Sequence, residues 1–206
     1  MASAHSLLVI KVSPRGERSG SRKLADEFLA SWKAAHPGGA VKTRDLGATP
    51  PPAVSEAWIE GAFQSPLRRS AEAGAAIRVS DEYVDELMAA GEVVIATPVY
   101  NFGIPAALKL WIDQIVRIGR TFSMEAGGAR GLAGGRGVKA LISSGWDLRP
   151  GQPMEAMNFV EPYLRGIFNF IGITKVEIVY AYDQAGNDRE AIFTQALEAI
   201  RSLAAA

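Results

Sequence analysis

Apolar positions fall into two alternating patterns along the chain. Five short runs, residues 7–12, 41–46, 93–97, 138–143 and 176–180, are apolar almost throughout and rich in β-branched residues, as strands buried on both faces should be. The second run interleaves Lys42, Arg44 and Asp45 with Val41 and Leu46, which places it at a sheet edge. Between the runs, apolar residues recur at helical spacing. Residues 21–35 carry Leu24, Phe28, Leu29 and Trp32 and stop before His36-Pro37-Gly38-Gly39, a helix-ending signal. Residues 80–90 are expected to begin with Ser80 as N-cap, with Asp81, Glu82 and Asp85 near the positive end and Gly91 beyond the last turn. Residues 105–118 open with Pro105 at the first helical position and line up Leu108, Ile112, Ile115 and Val116. Residues 155–171 and 188–204 read as the last two helices.

Strands alternating with helices pair in parallel through right-handed crossovers. The expected fold is a doubly wound α/β sheet of five strands in the order 2-1-3-4-5, helices on both faces, in one domain over residues 1–206. In that order the ligand crevice opens beyond the carboxyl ends of the first and third strands. Residues 47–79, with Pro50-Pro51-Pro52, Trp58, Ile59 and Phe63, and the Gly-rich residues 119–137 exceed the minimal repeat. Such insertions serve as lids or partner surfaces, and Trp58, Ile59 and Phe63 are expected either in the core or against a second subunit.

Charge and composition then remove whole classes of function. Lys and Arg total 22 and Asp and Glu total 22 in 206 residues, so no basic excess exists to hold nucleic acid or anionic lipid. The absence of cysteine excludes a disulfide scaffold, a thiolate nucleophile and thiolate metal sites. No secretory leader and no apolar stretch of the ~18 residues that span a bilayer are expected, which points to a cytoplasmic protein. The carboxylates lack metal-ligand spacing. His5, in the N-terminal tail, and His36, at a helix C-terminus where a cation is favoured, are the only histidines; His36 reads as a cap.

The two crevice loops carry the chemistry. After the first strand, residues 13–21 read Ser-Pro-Arg-Gly-Glu-Arg-Ser-Gly-Ser. The hydroxyls of Ser13, Ser19 and Ser21, with Gly16 and Gly20, end at a helix N-terminus, where amide and hydroxyl donors and the helix dipole favour a phosphate monoester. The alternative is that Ser19 or Ser21 only caps the helix. Neither a dinucleotide Gly-x-Gly-x-x-Gly turn nor an NTPase phosphate loop is present. After the third strand, Thr97-Pro98-Val99-Tyr100-Asn101-Phe102-Gly103-Ile104-Pro105 brackets two aromatics between prolines, a stiff apolar platform for a planar ring; the alternative is a tight turn whose aromatics pack on neighbouring helices. A phosphate at one end and a flat heterocycle at the other describe flavin mononucleotide (FMN).

Several motifs in order along nearly the whole chain carry a family resemblance. The Ser-rich first loop, Pro98-Val99-Tyr100-Asn101-Phe102, Pro105-Ala106-Ala107-Leu108-Lys109 with Trp111-Ile112-Asp113, Gly119-Arg120-Thr121-Phe122, and Pro162-Tyr163-Leu164 with Phe170-Ile171-Gly172-Ile173 resemble the FMN-dependent NADH azoreductases, relatives of the flavodoxin-like NAD(P)H:quinone oxidoreductases. The resemblance implies a flavodoxin-like homodimer that reduces quinones and cleaves aromatic azo bonds at the subunit interface. It implies that Ser13, Ser19, Gly20 and Ser21 hold the FMN phosphate and that Pro98, Val99, Tyr100, Asn101 and Phe102 line the flavin ring. Where the family commonly has Ser-Arg-Gly-Gly, this chain has Ser143-Ser144-Gly145-Trp146-Asp147. Ser144, Gly145, Trp146 and Asp147 are therefore expected beside the flavin with the Arg missing and a bulky ring added, which would narrow the substrate slot.

In the mechanism so implied, NADH or NADPH passes a hydride to the flavin and a quinone or azo compound then takes the electrons from the same face, a ping-pong scheme in which the protein supplies orientation and electrostatics. No protein nucleophile or general base is required. Amides of residues 100–102 and 144–146 are expected to stabilise the reduced ring. The alternatives are an NAD(P)H:FMN reductase that releases reduced flavin, a flavodoxin-like electron carrier, and a cofactor-free scaffold.

Overall fold

The computed structural model describes residues 6–204; His5 lies outside them. The main sheet contains β1 (Ser6–Lys11), β2 (Ala40–Asp45), β3 (Glu92–Pro98), β6 (Gly137–Ser143) and β7 (Lys175–Ala181). Its strands run parallel in the order β2-β1-β3-β6-β7. This is the expected doubly wound order, with the alternating β2 at an edge. The middle strands earn their apolar sequence, because Val9, Ile10, Val94, Ile95, Ala140 and Leu141 are all fully buried.

Two helical layers cover the sheet. On one face, α1 (Gly20–Ala35) and α6 (Arg189–Ala204) seat Leu24, Phe28, Trp32, Ala196 and Ile200 against Leu7, Val9, Val94 and Leu141. On the other, α3 (Ala71–Ala89), α4 (Ala106–Ile115) and α5 (Val160–Phe170) bury Val84, Leu87, Trp111, Ile112, Leu164 and Phe168. His36 closes α1 as its C-cap, with Nδ1 3.0 Å from the Trp32 carbonyl oxygen and its ring stacked on Trp32.

Two helix starts differ from expectation. Ser80 is not an N-cap: α3 begins nine residues earlier, where Ser70 Oγ accepts from the Ala73 amide. Ser80 instead lies fully buried within the helix and donates to the Gln114 carbonyl. Asp81, Glu82 and Asp85 consequently sit on a helix side, where they pair with Arg117, Arg44 and Arg120. Pro105 is the residue before α4 and not its first, with ψ 150°; its fixed φ suits either place. That helix ends at Ile115, short of residue 118. The fourth helical pattern splits into a short 3-10 turn, Glu155–Met157, and α5.

The insertions are built structure. The first forms α2 (Glu56–Phe63) and is locked by a buried polar network. Trp58 Nε1 donates to Gln114 Oε1 at 2.6 Å, and Gln114 Nε2 donates to the Pro52 carbonyl at 2.9 Å. Arg117, 2% exposed, lies over the Trp58 ring, donates to Ser80 Oγ and faces Asp81 at 3.2 Å; burial pulls its guanidinium pKa down. Trp58 is thus core, whereas Ile59, Phe63 and Leu67 are exposed. The second insertion is an antiparallel hairpin of β4 (Phe122–Glu125) and β5 (Gly128–Gly131), with Ala126 and Gly127 at its turn. Among the described residues no helix is long and apolar enough to cross a membrane.

Candidate functional site

Three loops rise from adjacent strands at the carboxyl edge of the sheet. The register sets Pro98 opposite Ser143, the Val12 amide donates to the Ala96 carbonyl, and the Val99 amide donates to the Ser143 carbonyl. The loops after β1, β3 and β6, which together carry every residue expected to hold a cofactor, therefore start from one plane.

In the first loop Ser13, Ser19 and Ser21 are buried, at 1%, 3% and 0% exposure. Ser13 Oγ accepts from the Arg15 amide at 3.3 Å, and Ser19 and Ser21 share a hydroxyl hydrogen bond of 3.1 Å. Ser19 also caps α1 through the Arg22 amide. Capping and nest coexist, since the amides of the first helical turn have no partner further back in the helix. The donor set is three hydroxyls and a helix N-terminus free of acid, which fits a phosphate monoester. A Cβ at Gly20 would come 2.9 Å from Ser143 Oγ, so a larger residue there would push the Ser143 hydroxyl aside.

A layer that sequence reading missed positions this nest. Arg22 donates through Nε to the Ser13 carbonyl at 2.8 Å and grips Asp45 with both terminal nitrogens at 2.7 and 2.6 Å. Asp45, the last residue of β2, also accepts from the amides of Gly47 and Ala48. The Arg22 guanidinium beside it holds the Asp45 carboxyl below its ordinary range, and Asp45 in turn raises Arg22. Gly47 passes under Ser13 so closely that a Cβ would lie 2.4 Å from the Ser13 carbonyl oxygen. The available signal was the clustering of Asp45 and Gly47 at the end of the edge strand.

The second loop is a two-residue reversal. The Tyr100 and Gly103 amides each donate to the other's carbonyl, at 3.1 and 3.0 Å, and Asn101 and Phe102 take φ of 48° and 67°. Positive φ at both central positions is the geometry of tight hairpin turns. Asn tolerates it; for Phe it costs roughly 1–2 kcal/mol. Tyr100 is 40% exposed, and the amides of Asn101 and Phe102 meet no protein acceptor among the described residues.

The third loop is zipped to the end of β7. Ser144, Asp183, Gln184 and Ala185 amides donate to the carbonyls of Ala181, Trp146, Ser144 and Gly145. The buried Ser144 hydroxyl bonds both the amide and the carbonyl of Trp146. The Trp146 backbone is fixed while its side chain is 58% exposed. The amides of Tyr100, Ser144 and Trp146 are thereby occupied, which leaves those of Asn101, Phe102 and Gly145 as the donors at this edge. Asp147 is committed to Arg149, which grips both carboxylate oxygens and holds the carboxyl below its usual range. Arg149 also lies over Tyr182, which stacks on Tyr180 at 4.3 Å; burial pushes the Tyr182 hydroxyl up to about 12.

A cleft of about 610 Å³ at this edge reaches Gly20 and Ser143 but extends toward α6 rather than over residues 100–102.

Comparison with known proteins matches this arrangement. Residues 5–204 fit the family described by a flavodoxin-like fold. The chain is 50% identical over 176 residues, 85% of this chain and 86% of the other, to an FMN-dependent NADH:quinone oxidoreductase of Nostoc punctiforme. It is 43% identical over 189 residues, 89% of each chain, to FMN-dependent NAD(P)H:quinone oxidoreductase 1 of Pseudomonas aeruginosa. The crystal structure of azoreductase from Bacillus anthracis superposes with a TM-score of 0.91 at 30% identity, covering 100% of this chain and 99% of that one. The chain belongs to the flavodoxin-like family of FMN-dependent NADH:quinone oxidoreductases and azoreductases.

Proposed function

We propose that this chain is a cytoplasmic FMN-dependent NAD(P)H:quinone oxidoreductase that also cleaves aromatic azo bonds, folded as one domain and acting as a homodimer. The observation that carries the reading is the pairing, on neighbouring strands, of a buried three-serine nest with a positive-φ turn that holds two aromatics and two unused amides. Ser13, Ser19, Gly20 and Ser21 bind the phosphate, and residues 98–102 and 144–147 border the ring. When bound, FMN supplies the two-electron chemistry, accepting hydride from the nicotinamide and passing the electrons to a quinone or azo compound.

The chain's own part is electrostatic and steric. The amides of Asn101, Phe102 and Gly145, which meet no protein acceptor among the described residues, would donate to the ring as it gains negative charge, and donors fixed in advance need no reorganisation. Trp146, rigid in backbone and exposed in ring, limits the slot in which donor and acceptor take turns. A shared slot gives ping-pong kinetics. The exposed Ile59, Phe63 and Leu67 on the first insertion form the apolar surface for the second subunit.

The test is direct. Purified protein should bind FMN and turn yellow, lose the colour on anaerobic NADH or NADPH, and regain it with menadione. Double-reciprocal plots should be parallel, and an azo dye should be decolorised. Lack of any flavin binding defeats the proposal, and turnover of free FMN without quinone reduction points to a flavin reductase instead.

A further inference from the structure

Asp147 stands in the segment that the proposed function sets against the flavin ring, and a carboxylate is the wrong charge for that place. A fixed negative charge opposes the charge that the ring gains on reduction, and the opposition is stronger where water is thinned out. The Asp147 side chain is partly buried, 22% exposed. Two residues further on, the chain supplies the opposite charge. Arg149 donates through Nε to Asp147 Oδ1 at 2.8 Å and through a terminal nitrogen to Oδ2 at 2.6 Å, a grip that occupies both carboxylate oxygens. Its backbone amide also reaches Oδ1, at 3.1 Å.

The amide contact alone would be an ordinary local turn, but the guanidinium is held from outside the loop as well. Its central carbon lies 5.9 Å from the centre of the Tyr182 ring. Tyr182 stacks on Tyr180, 4.3 Å away and tilted by only 10°, and the Tyr180 hydroxyl donates to Asn158 Oδ1 at 3.1 Å. The stacked pair on and just beyond β7 thus meets Arg149 near one end of residues 147–158 and Asn158 at the other. Exposed ion pairs add little to stability, and Arg149 keeps 48% of its side chain exposed, so folding does not account for a two-pronged grip backed by an aromatic ring. Charge accounts for it better. Asp183 is the other carboxylate acting on Arg149, and among the described residues no second Lys or Arg forms an ion pair with Asp147 or Asp183.

We infer that Arg149 is a charge-compensating residue of the cofactor site, cancelling Asp147 at the edge of the ring and so keeping reduction of the bound flavin favourable. The inference rests on the proposed function for the place of the ring beside residues 144–147. Arg149 acts through Asp147 and is therefore a positioning residue.

The test reads the potential of the bound flavin and needs no turnover. FMN-loaded protein is titrated anaerobically against dyes of known potential, and the displacement from free FMN gives the ratio of affinities for reduced and oxidised flavin. Arg149→Gln should lower that ratio about three- to tenfold, tenfold being about 30 mV for a two-electron couple. The change should shrink at high salt, because the pair is partly exposed. Asp147→Asn, which keeps an acceptor for the turn, should raise the ratio, and the double variant should return close to the parent. Arg201→Gln, which removes a cation paired with Glu27, should leave it unchanged. An unchanged ratio in Arg149→Gln, a double variant that keeps the full shift of Arg149→Gln, or an equal shift in Arg201→Gln would each overturn the inference. Failure of the parent protein to bind FMN would defeat the proposed function along with it, whereas a bound flavin indifferent to Arg149 defeats this inference alone.

Discussion

The loops after β1 and β3 prepare for a ligand in opposite ways. The β1 loop is satisfied: its three serines are buried and hydrogen-bonded, and the ion pair between Arg22 and Asp45 clamps it to the edge strand. The β3 turn is unsatisfied: Phe102 holds an unfavourable φ, and the amides of Asn101 and Phe102 stay open. The first stores its ligand's contacts in a polar scaffold, the second in strain and unused donors. Under the proposed function, a tight grip on phosphate by the first and a looser surface under the ring from the second would suit a cofactor that must stay while its partners exchange.

The comparison breaks most severely where the scaffold has least room. Gly47→Val places branched carbon where even a Cβ lies 2.4 Å from the Ser13 carbonyl, so the loop must move. Overpacking of this kind costs about 1–3 kcal/mol, and the movement scatters all three hydroxyls. Equilibrium dialysis with FMN should show affinity lowered by at least about 100-fold. Replacing Ser19 by Ala comes next, with a loss of about 10- to 100-fold, because a hydrogen bond to a charged group contributes about 1.5–3 kcal/mol. Ser19→Asp should restore the helix cap while repelling the phosphate, which separates capping from binding: thermal stability recovers and FMN affinity does not.

Most of the fold was legible in the sequence, because strands buried on both faces leave little choice of residue. The β1 and β3 loops were legible for the same reason, since the strand order dictates where the crevice opens. The start of α3 was not: Ser80 followed by three acids imitates an N-terminus, and only tertiary contacts with Gln114 and Arg117 show it as a buried helix interior. The support of the nest was also hidden. Arg22, Asp45 and Gly47 lie on different elements and are joined only when β2 pairs with β1. Trp58 and Phe63, five residues apart on one insertion, part company because Gln114 offers Trp58 a buried acceptor, whereas Phe63 is exposed.

Acid sharpens the comparison on the nest side alone. The Asp45 carboxyl titrates below its ordinary value because Arg22 faces it. A depressed carboxyl contributes stability that is present above its unfolded pKa and is lost as pH falls through the folded one. FMN affinity should therefore hold through neutral pH and decline in acid, below the usual carboxylate range. Asp45→Asn should bind FMN more weakly at neutral pH and show a flatter acid limb, so that the two pH profiles converge; profiles that remain parallel would detach the clamp from the nest.

The smallest effect is expected at the turn, and its sign is informative. Phe102→Gly removes a strained φ and so relieves roughly 1–2 kcal/mol, but glycine also loosens the unfolded chain by up to about 1 kcal/mol. Thermal unfolding of the flavin-free protein should shift by only a few degrees, upward if strain dominates. Flavin affinity should drop about 3- to 10-fold, the worth of one aromatic contact, because the Asn101 and residue-102 amides survive the substitution. A fall in stability would mean that the Phe102 ring packs more favourably than its backbone is strained, and the turn would then resemble the satisfied nest rather than its opposite.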